Sequence, residues 1–373
     1  MKDITIGIAA PLSGRAAKLG LEMQHAVELA IQEKNDQGGI AGIKIRAAIA
    51  DDGSSVPKAR DAAKKLCNER NIVGIIGHYG SDTSLAAAEI YHEHTLPLLA
   101  PVASNPLLTG SGLTNIFRYT NRDDQTAKAI SRYLYNKLHK RKAVVIKTNT
   151  AYGNSMAGQF EKNFIAEGGY ILSTFTVDEG DKDFSSLAAS MPEETELFFY
   201  GGTYEGAYLL NALRNGGHMQ LMAAGDGCWD KENFLDIAGT AAEVGEGVLV
   251  LSASSAIGEV PGSAKFAVKY EKLYGPVINY ALNAYDTTCI LLKAIGETAG
   301  TDLPAGEKVI RSIRNIQFTG IANPNPLTWS DNGDNITAIT TLNIVRNGRF
   351  ISHGLHLNDR ASMARMIHRM PSR

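Results

Sequence analysis

At 373 residues the chain exceeds the size at which a single hydrophobic core keeps growing, so two lobes are expected. Its 44% hydrophobic and 20% charged residues describe an ordinary globular protein, and a net charge of −2 without a basic, aromatic-laced stripe excludes nucleic acid as a partner. No run of eighteen apolar residues offers a membrane span, and Met1-Lys2-Asp3 leads straight into the first expected strand.

Taken in chain order, one pattern recurs seven times: a short β-branched apolar run, a Gly/Ser/Asp-rich turn, then helical spacing. Ile4–Ala9 runs into Leu12-Ser13-Gly14, and Ile72–Ile76 into Gly77-His78-Tyr79-Gly80-Ser81. Leu96–Ala100 runs into Pro101-Val102-Ala103-Ser104, and Ala143–Lys147 into Thr148–Asn154. Leu197–Tyr200, Leu221–Ala223 and Val248–Leu251 lead into Gly201-Gly202-Thr203-Tyr204, Gly225-Asp226-Gly227 and Ser252-Ala253. Apolar spacing of about 3.6 predicts helices over Asp61–Asn68, Leu85–His94, Asp124–Leu138, Gln159–Ala166, Gly206–Leu213 and Asn283–Glu297. Ile339–Val345 followed by Asn347-Gly348 reads as a β-hairpin, and Arg360–Arg373 as a basic terminal helix or tail. Strand–turn–helix units in series build parallel sheets, which bind ligands at the carboxyl ends of their strands. Short crossings between lobes are expected near Phe117–Asn121, Val250–Ser254 and Pro326–Asp331. These give one lobe of residues 1–119 plus 252–328 and another of 120–251 plus 329–373.

The turns carry hydroxyls, aromatics and one acid, but no phosphate loop, no G-x-G-x-x-G, no Gly-x-Ser-x-Gly and no nucleophile–base pair. That is the profile of a binding cleft, not of an enzyme. Cys67, Cys228 and Cys289 are widely separated and form no CxxC; Cys67, inside a helical pattern, reads as a buried thiol. In His92-Glu93-His94 the two histidines point to different helix faces, so no metal and no cofactor is implied. Asp51-Asp52 reads as a turn with caps.

The stretches Ile6-Gly7-Ile8-Ala9-Ala10-Pro11-Leu12-Ser13-Gly14, Asn35-Asp36-Gln37-Gly38-Gly39-Ile40 and Ile76-Gly77-His78 resemble the branched-chain amino-acid-binding proteins of ABC transporters. So do Tyr152-Gly153, Lys182-Asp183-Phe184-Ser185, Tyr200-Gly201-Gly202 and Pro326-Leu327-Thr328-Trp329. The resemblance, to the leucine/isoleucine/valine-binding type, runs in order from Ile4 to Val345. It implies the α/β type I periplasmic-binding-protein fold: two Rossmann-like lobes with parallel sheets, three hinge crossovers, and an interlobe cleft that closes on an amino acid. It also implies a periplasmic or lipid-anchored monomer that partners a membrane ABC permease.

The resemblance assigns roles by position. Ser81, opening a helix after a strand, would bind the ligand carboxylate; on the residues alone it could equally be an N-cap. Ser104 stands where threonine is usual, with Pro106 read as the first residue of the next helix. Val102 would offer its carbonyl to the ammonium, beside Ala103. Asp226 stands where glutamate is usual and would balance the ammonium, the alternative being an Asp-Gly turn. Tyr152 and one of Thr203 or Tyr204 would come from the second lobe, with Tyr280 as an aromatic wall. Two departures stand out. Leu19 replaces an aromatic, and a small disulfide is missing near Ser54 and Gly80, with Tyr79 where an aliphatic residue is usual. The solute read from this set is a small neutral amino acid. The rival readings are an amide, urea or aromatic-acid binder, and a sensory ligand-binding domain.

Overall fold

The computed structural model describes residues 3–277, 280–299 and 306–356, with the side chains of 353–356 left aside; the Arg360–Arg373 segment lies outside them. The chain divides into two compact units. The first runs to Asn121 and resumes over Ser254–Ala338; the second covers Arg122–Ala253 and continues from Ile339.

The first unit opens with β1 (Ile4–Ala10), α1 (Ala17–Asp36), β2 (Ile45–Asp51), α2 (Val56–Cys67), β3 (Ile72–Gly77) and α3 (Ser81–Glu93). It continues with β4 (Leu98–Ala100), the single turn α4 (Leu107–Gly110) and β5 (Ile116–Arg118). All pairings are parallel, in the order β2-β1-β3-β4-β5. Alternation along β1 decides the layers. Ile4, Ile6 and Ile8 face a core with Met23, Val27 and Ala30 of α1, whereas Ala9 faces α2 and α3 through Leu66, Ala87 and Tyr91. Each such buried aliphatic side chain stabilises the fold by about 1.5–3 kcal/mol.

The second unit holds α5 (Asp123–Asn136), β6 (Lys142–Thr148), α6 (Ala151–Ala166), β7 (Tyr170–Val177), α7 (Ser185–Ala189), β8 (Leu197–Gly201), α8 (Glu205–Asn215) and β9 (Leu221–Ala224). After the short α9 (Asp236–Ala238) comes β10 (Val248–Ser252). The first unit is completed by α10 (Ser263–Tyr274), α11 (Ala281–Thr298) and α12 (Gly306–Asn315), the second by β11 (Thr341–Arg346) and β12 (Arg349–His356). Its sheet order is β12-β11-β10-β9-β8-β6-β7, parallel except where β11 meets β10 and β12. Phe198 and Tyr200 face one core while Leu197 and Phe199 face the other, where Phe199 stacks on Phe160 with ring centroids 3.7 Å apart.

Several expectations are corrected. The third boundary falls at Ala338–Ile339, beyond Pro326–Asp331. The intervening segment is fastened to the first unit: Trp329 packs on Phe117, and the Asp334 carboxylate pairs with the fully buried Arg118 guanidinium at 2.6 Å. Helix α6 starts at Ala151 rather than Gln159, because the Thr150 hydroxyl caps it by accepting from the Gly153 N–H at 3.0 Å. Cys67 is half-buried, not buried. The hairpin turns at Asn347-Gly348, both with positive φ, 52° and 63°, as a two-residue turn requires. Among the described residues no helix is long and apolar enough to cross a membrane.

Candidate functional site

In the first unit the turns after β3 and β4 supply the candidate residues. Gly80, in extended conformation, precedes α3, and its carbonyl accepts from the Ser84 and Thr83 hydroxyls at 2.7 and 3.1 Å. Ser81 is therefore the first helical residue and does not cap its own helix. Its buried hydroxyl instead accepts from the Asn105 N–H at 3.3 Å, joining the Ser81 turn to the Ser104 turn. Val102, Ala103 and Ser104 are all buried in that turn. The turn is held at both ends. Asn283 on α11 donates to the Pro101 carbonyl at 3.1 Å, and Arg118 donates to the Asn105 carbonyl at 2.6 Å. Pro106 precedes Leu107, the first residue of α4, and Asn105 caps that turn through its side-chain oxygen, so the position expected for Pro106 shifts by one.

Tyr79 is half-buried and meets the buried Tyr280, just before α11, edge to face with centroids 6.3 Å apart. Leu19 is half-buried in the first turn of α1, next to Gly20, where a side chain would collide with the Pro11 carbonyl. The positive dipole end of α3 and the neighbouring hydroxyl suit a carboxylate.

In the second unit Tyr152, in the first turn of α6, donates from its phenol to the Asp226 carboxylate at 2.7 Å. The same oxygen accepts the Gly227 N–H at 3.0 Å. Burial, then the Asp226 and Asp123 carboxylates, push the Tyr152 phenol well above its ordinary range, so it stays a donor. Asp226 itself is 8% exposed, at the end of β9. Close approach explains its flanking glycines. A Cβ at residue 225 would sit 2.4 Å from the Tyr152 hydroxyl, and one at 227 would sit 2.9 Å from the Tyr152 ring and 3.1 Å from the Thr203 methyl. Tyr152, Asp226 and Thr203 are thereby brought together. Tyr204 is half-buried at the residue before α8.

The sequence reading missed the residues behind this cluster. Buried Glu205 accepts from the Thr203 hydroxyl at 3.0 Å and the Gly180 N–H at 2.8 Å, fixing two turns. Buried Asp123 acts electrostatically on Tyr152. Asp52, His78 and Tyr91 form a buried hydrogen-bonded line behind Ser81. An acid two residues after Thr203 was the one local signal; the rest depend on partners distant in sequence. Among the described residues no group of His, Cys, Asp and Glu is placed to hold a metal.

Comparison with known proteins agrees with this architecture. A family model described as "Periplasmic binding protein" matches residues 3–349. The chain is 31% identical over 337 residues to the Leu/Ile/Val-binding protein homolog 3 of Brucella melitensis, covering 89% of this chain and 88% of that one. A leucine-binding protein, LivK, from Thermotoga maritima superposes with a TM-score of 0.84 at 26% identity, over 94% of this chain and 97% of the other. A substrate-binding protein of Desulfitobacterium hafniense in complex with Leu gives a TM-score of 0.78 at 27% identity, over 94% and 100%.

Proposed function

The chain belongs to the periplasmic binding protein family, the extracytoplasmic solute-binding proteins of ABC transporters, and we propose that its solute is a small neutral amino acid. It is a binding protein and not an enzyme. Binding free energy drives a conformational change, and the loaded protein delivers the solute to a membrane permease of the branched-chain type. On the family pattern the solute carboxylate goes to Ser81, Ser104 and the start of α3, and the ammonium to the Val102 carbonyl, beside Ala103, and to Asp226, with Tyr152 and Thr203 or Tyr204 against the ligand backbone. Tyr79, Tyr280 and Leu19 shape the side-chain space.

The observation that carries the reading is the Tyr152–Asp226 pair: a buried carboxylate oriented by a neutral phenol at the carboxyl end of a strand. An α-ammonium would meet this carboxylate with the opposite charge. A benzoate-like acid would add a second negative charge instead. A thermal-shift screen of the twenty amino acids, urea, simple amides and aromatic acids tests this. A true solute at 100 times its dissociation constant adds about 2.7 kcal/mol of stability. Stabilisation by amides or aromatic acids and by no amino acid would replace the proposal.

A further inference from the structure

Strand β2 ends in two acids, and each fastens a different loop. Asp51 Oδ1 accepts the N–H groups of Leu12, Ser13 and Gly53 at 2.7, 3.2 and 2.8 Å, shaping the loop after β1. Asp52 faces the other way. Its Oδ1 accepts from the Ser54 N–H at 2.9 Å, while its Oδ2 lies 2.7 Å from His78 Nδ1. His78 Nε2 lies 3.1 Å from the Tyr91 hydroxyl, and Asp52, His78 and Tyr91 are all fully buried. β2 is an edge strand separated from β3 by β1, so Asp52 reaches past the end of a whole strand to meet the imidazole.

The loop it meets is Gly77-His78-Tyr79-Gly80, directly before Ser81. Gly77 ends β3 in register with Ala9, and the Gly80 carbonyl is held by the Thr83 and Ser84 hydroxyls. Between them the buried imidazole anchors the turn inward. Tyr91 lies on the helix that Ser81 begins, so the line Asp52–His78–Tyr91 fixes the loop to the sheet edge on one side and to the body of α3 on the other. Buried hydrogen bonds to a charged acceptor are short and geometrically demanding, which suits holding an atom within a fraction of an ångström.

We propose that Asp52, acting through His78, is the positioning residue for the Ser81 half of the site, setting where the Ser81 hydroxyl and the start of α3 meet a solute carboxylate. The proposal rests on the amino-acid reading above, and two readouts separate the failure of one from the failure of the other. The first is calorimetry with L-alanine and L-leucine on wild type, Asp52→Ala, Asp52→Asn, Tyr91→Phe and each of these with Ser81→Ala, at a temperature where circular dichroism shows all folded. Asp52→Ala weakens binding about tenfold or more, Asp52→Asn less because it keeps an acceptor for His78, and both losses shrink to within about threefold once Ser81 is alanine. Equal losses in both backgrounds would overturn the proposal. The second readout is hydrogen exchange without solute. Asp52→Ala and Tyr91→Phe raise exchange over residues 77–85 and leave the β4 and β5 segments unchanged. Exchange raised evenly through the first unit would mean plain structural support and refute positioning. Should wild type bind neither amino acid, the amino-acid reading fails while the exchange arm still decides this one. Should Asp52→Ala not fold, Tyr91→Phe, which keeps the ring, carries both readouts.

Discussion

Replacing Asp226 by asparagine tests the ammonium site with little change of shape. Asparagine keeps an oxygen that can accept the Tyr152 hydroxyl hydrogen bond, seen at 2.7 Å, so the phenol and the Gly227 N–H bonded to it stay in place. What is lost is the charge. A hydrogen bond to an ionised group contributes about 1.5–3 kcal/mol, and removing one partner of a buried ion pair costs about 3–5 kcal/mol. With Asp226 at 8% exposure a loss of about 2–4 kcal/mol is expected, or roughly thirty- to a thousandfold in dissociation constant. The free protein should behave oppositely. Asparagine has no charge to desolvate, so its melting temperature without solute should equal or exceed that of wild type. Calorimetry gives the first quantity and a thermal melt the second. Affinity within threefold of wild type would remove Asp226 from the site; weakened binding with an equally lowered apo melting temperature would recast it as a structural acid.

Three further outcomes follow from the geometry. Ser81→Ala should weaken amino-acid binding by about 1–2 kcal/mol, less than Asp226→Asn, because the N–H groups at the start of α3 remain; calorimetry showing no loss would assign the hydroxyl wholly to its Asn105 contact. Competition calorimetry should favour alanine and serine over leucine and valine by about 1–3 kcal/mol, since the Tyr79 ring beside Tyr280 takes up side-chain space, and Tyr79→Leu should narrow the gap; a tenfold preference of wild type for leucine would refute it. Asp286 gives a pH signature. Burial pushes its carboxyl up to about 6, against the lowering effects of the Tyr119 hydroxyl and the Ala322 and Ile321 N–H groups. The folded protein therefore binds this proton before the unfolded chain does. The cost of keeping Asp286 ionised is full above about pH 6 and falls as pH drops towards 4. Urea midpoints should show wild type gaining about 1–2 kcal/mol relative to Asp286→Asn between pH 7.5 and 5, and a loss over that interval would contradict the assignment.

The parallel-sheet units were legible because their signals are local. A turn such as Gly77–Ser81 follows its strand within a few residues, and the Asn347-Gly348 hairpin declares itself by dipeptide. Ser81, Ser104 and Asp226 stand out by position, each in the turn after a strand, but their proposed roles come from the family resemblance. Helix α1 was not read; Gly20 lets it pack on the Pro11 carbonyl, a partner nine residues away in the preceding turn. The supporting pairs were also invisible. Asp52 meets His78 across 26 residues and Arg118 meets Asp334 across 216, and no periodicity links them. The third boundary was misplaced for that reason: Pro326–Asp331 has the composition of a crossing, but Trp329 and Asp334 hold it to the first unit.

These long-range partners also separate the acids that shape the fold from the one suited to a solute. Asp51 spends a single oxygen on three backbone N–H groups, Glu205 takes a backbone N–H and a hydroxyl, and Asp286 takes two backbone N–H groups and the Tyr119 hydroxyl. A carboxylate bound this way has its lone pairs committed to the chain, and its charge is already distributed over the peptide dipoles it satisfies. Such an acid orders loops and offers an incoming ammonium little. Asp226 is oriented in part by a side-chain phenol from the start of another helix, itself steadied by the neighbouring Gly227 N–H. The glycine before it leaves room for the phenol, and the glycine after it leaves room for the Gly202 carbonyl and the Tyr152 ring. Asp51, Glu205 and Asp286 thus order loops, while Asp226, beside the Tyr152 phenol, is the acid proposed for the ammonium.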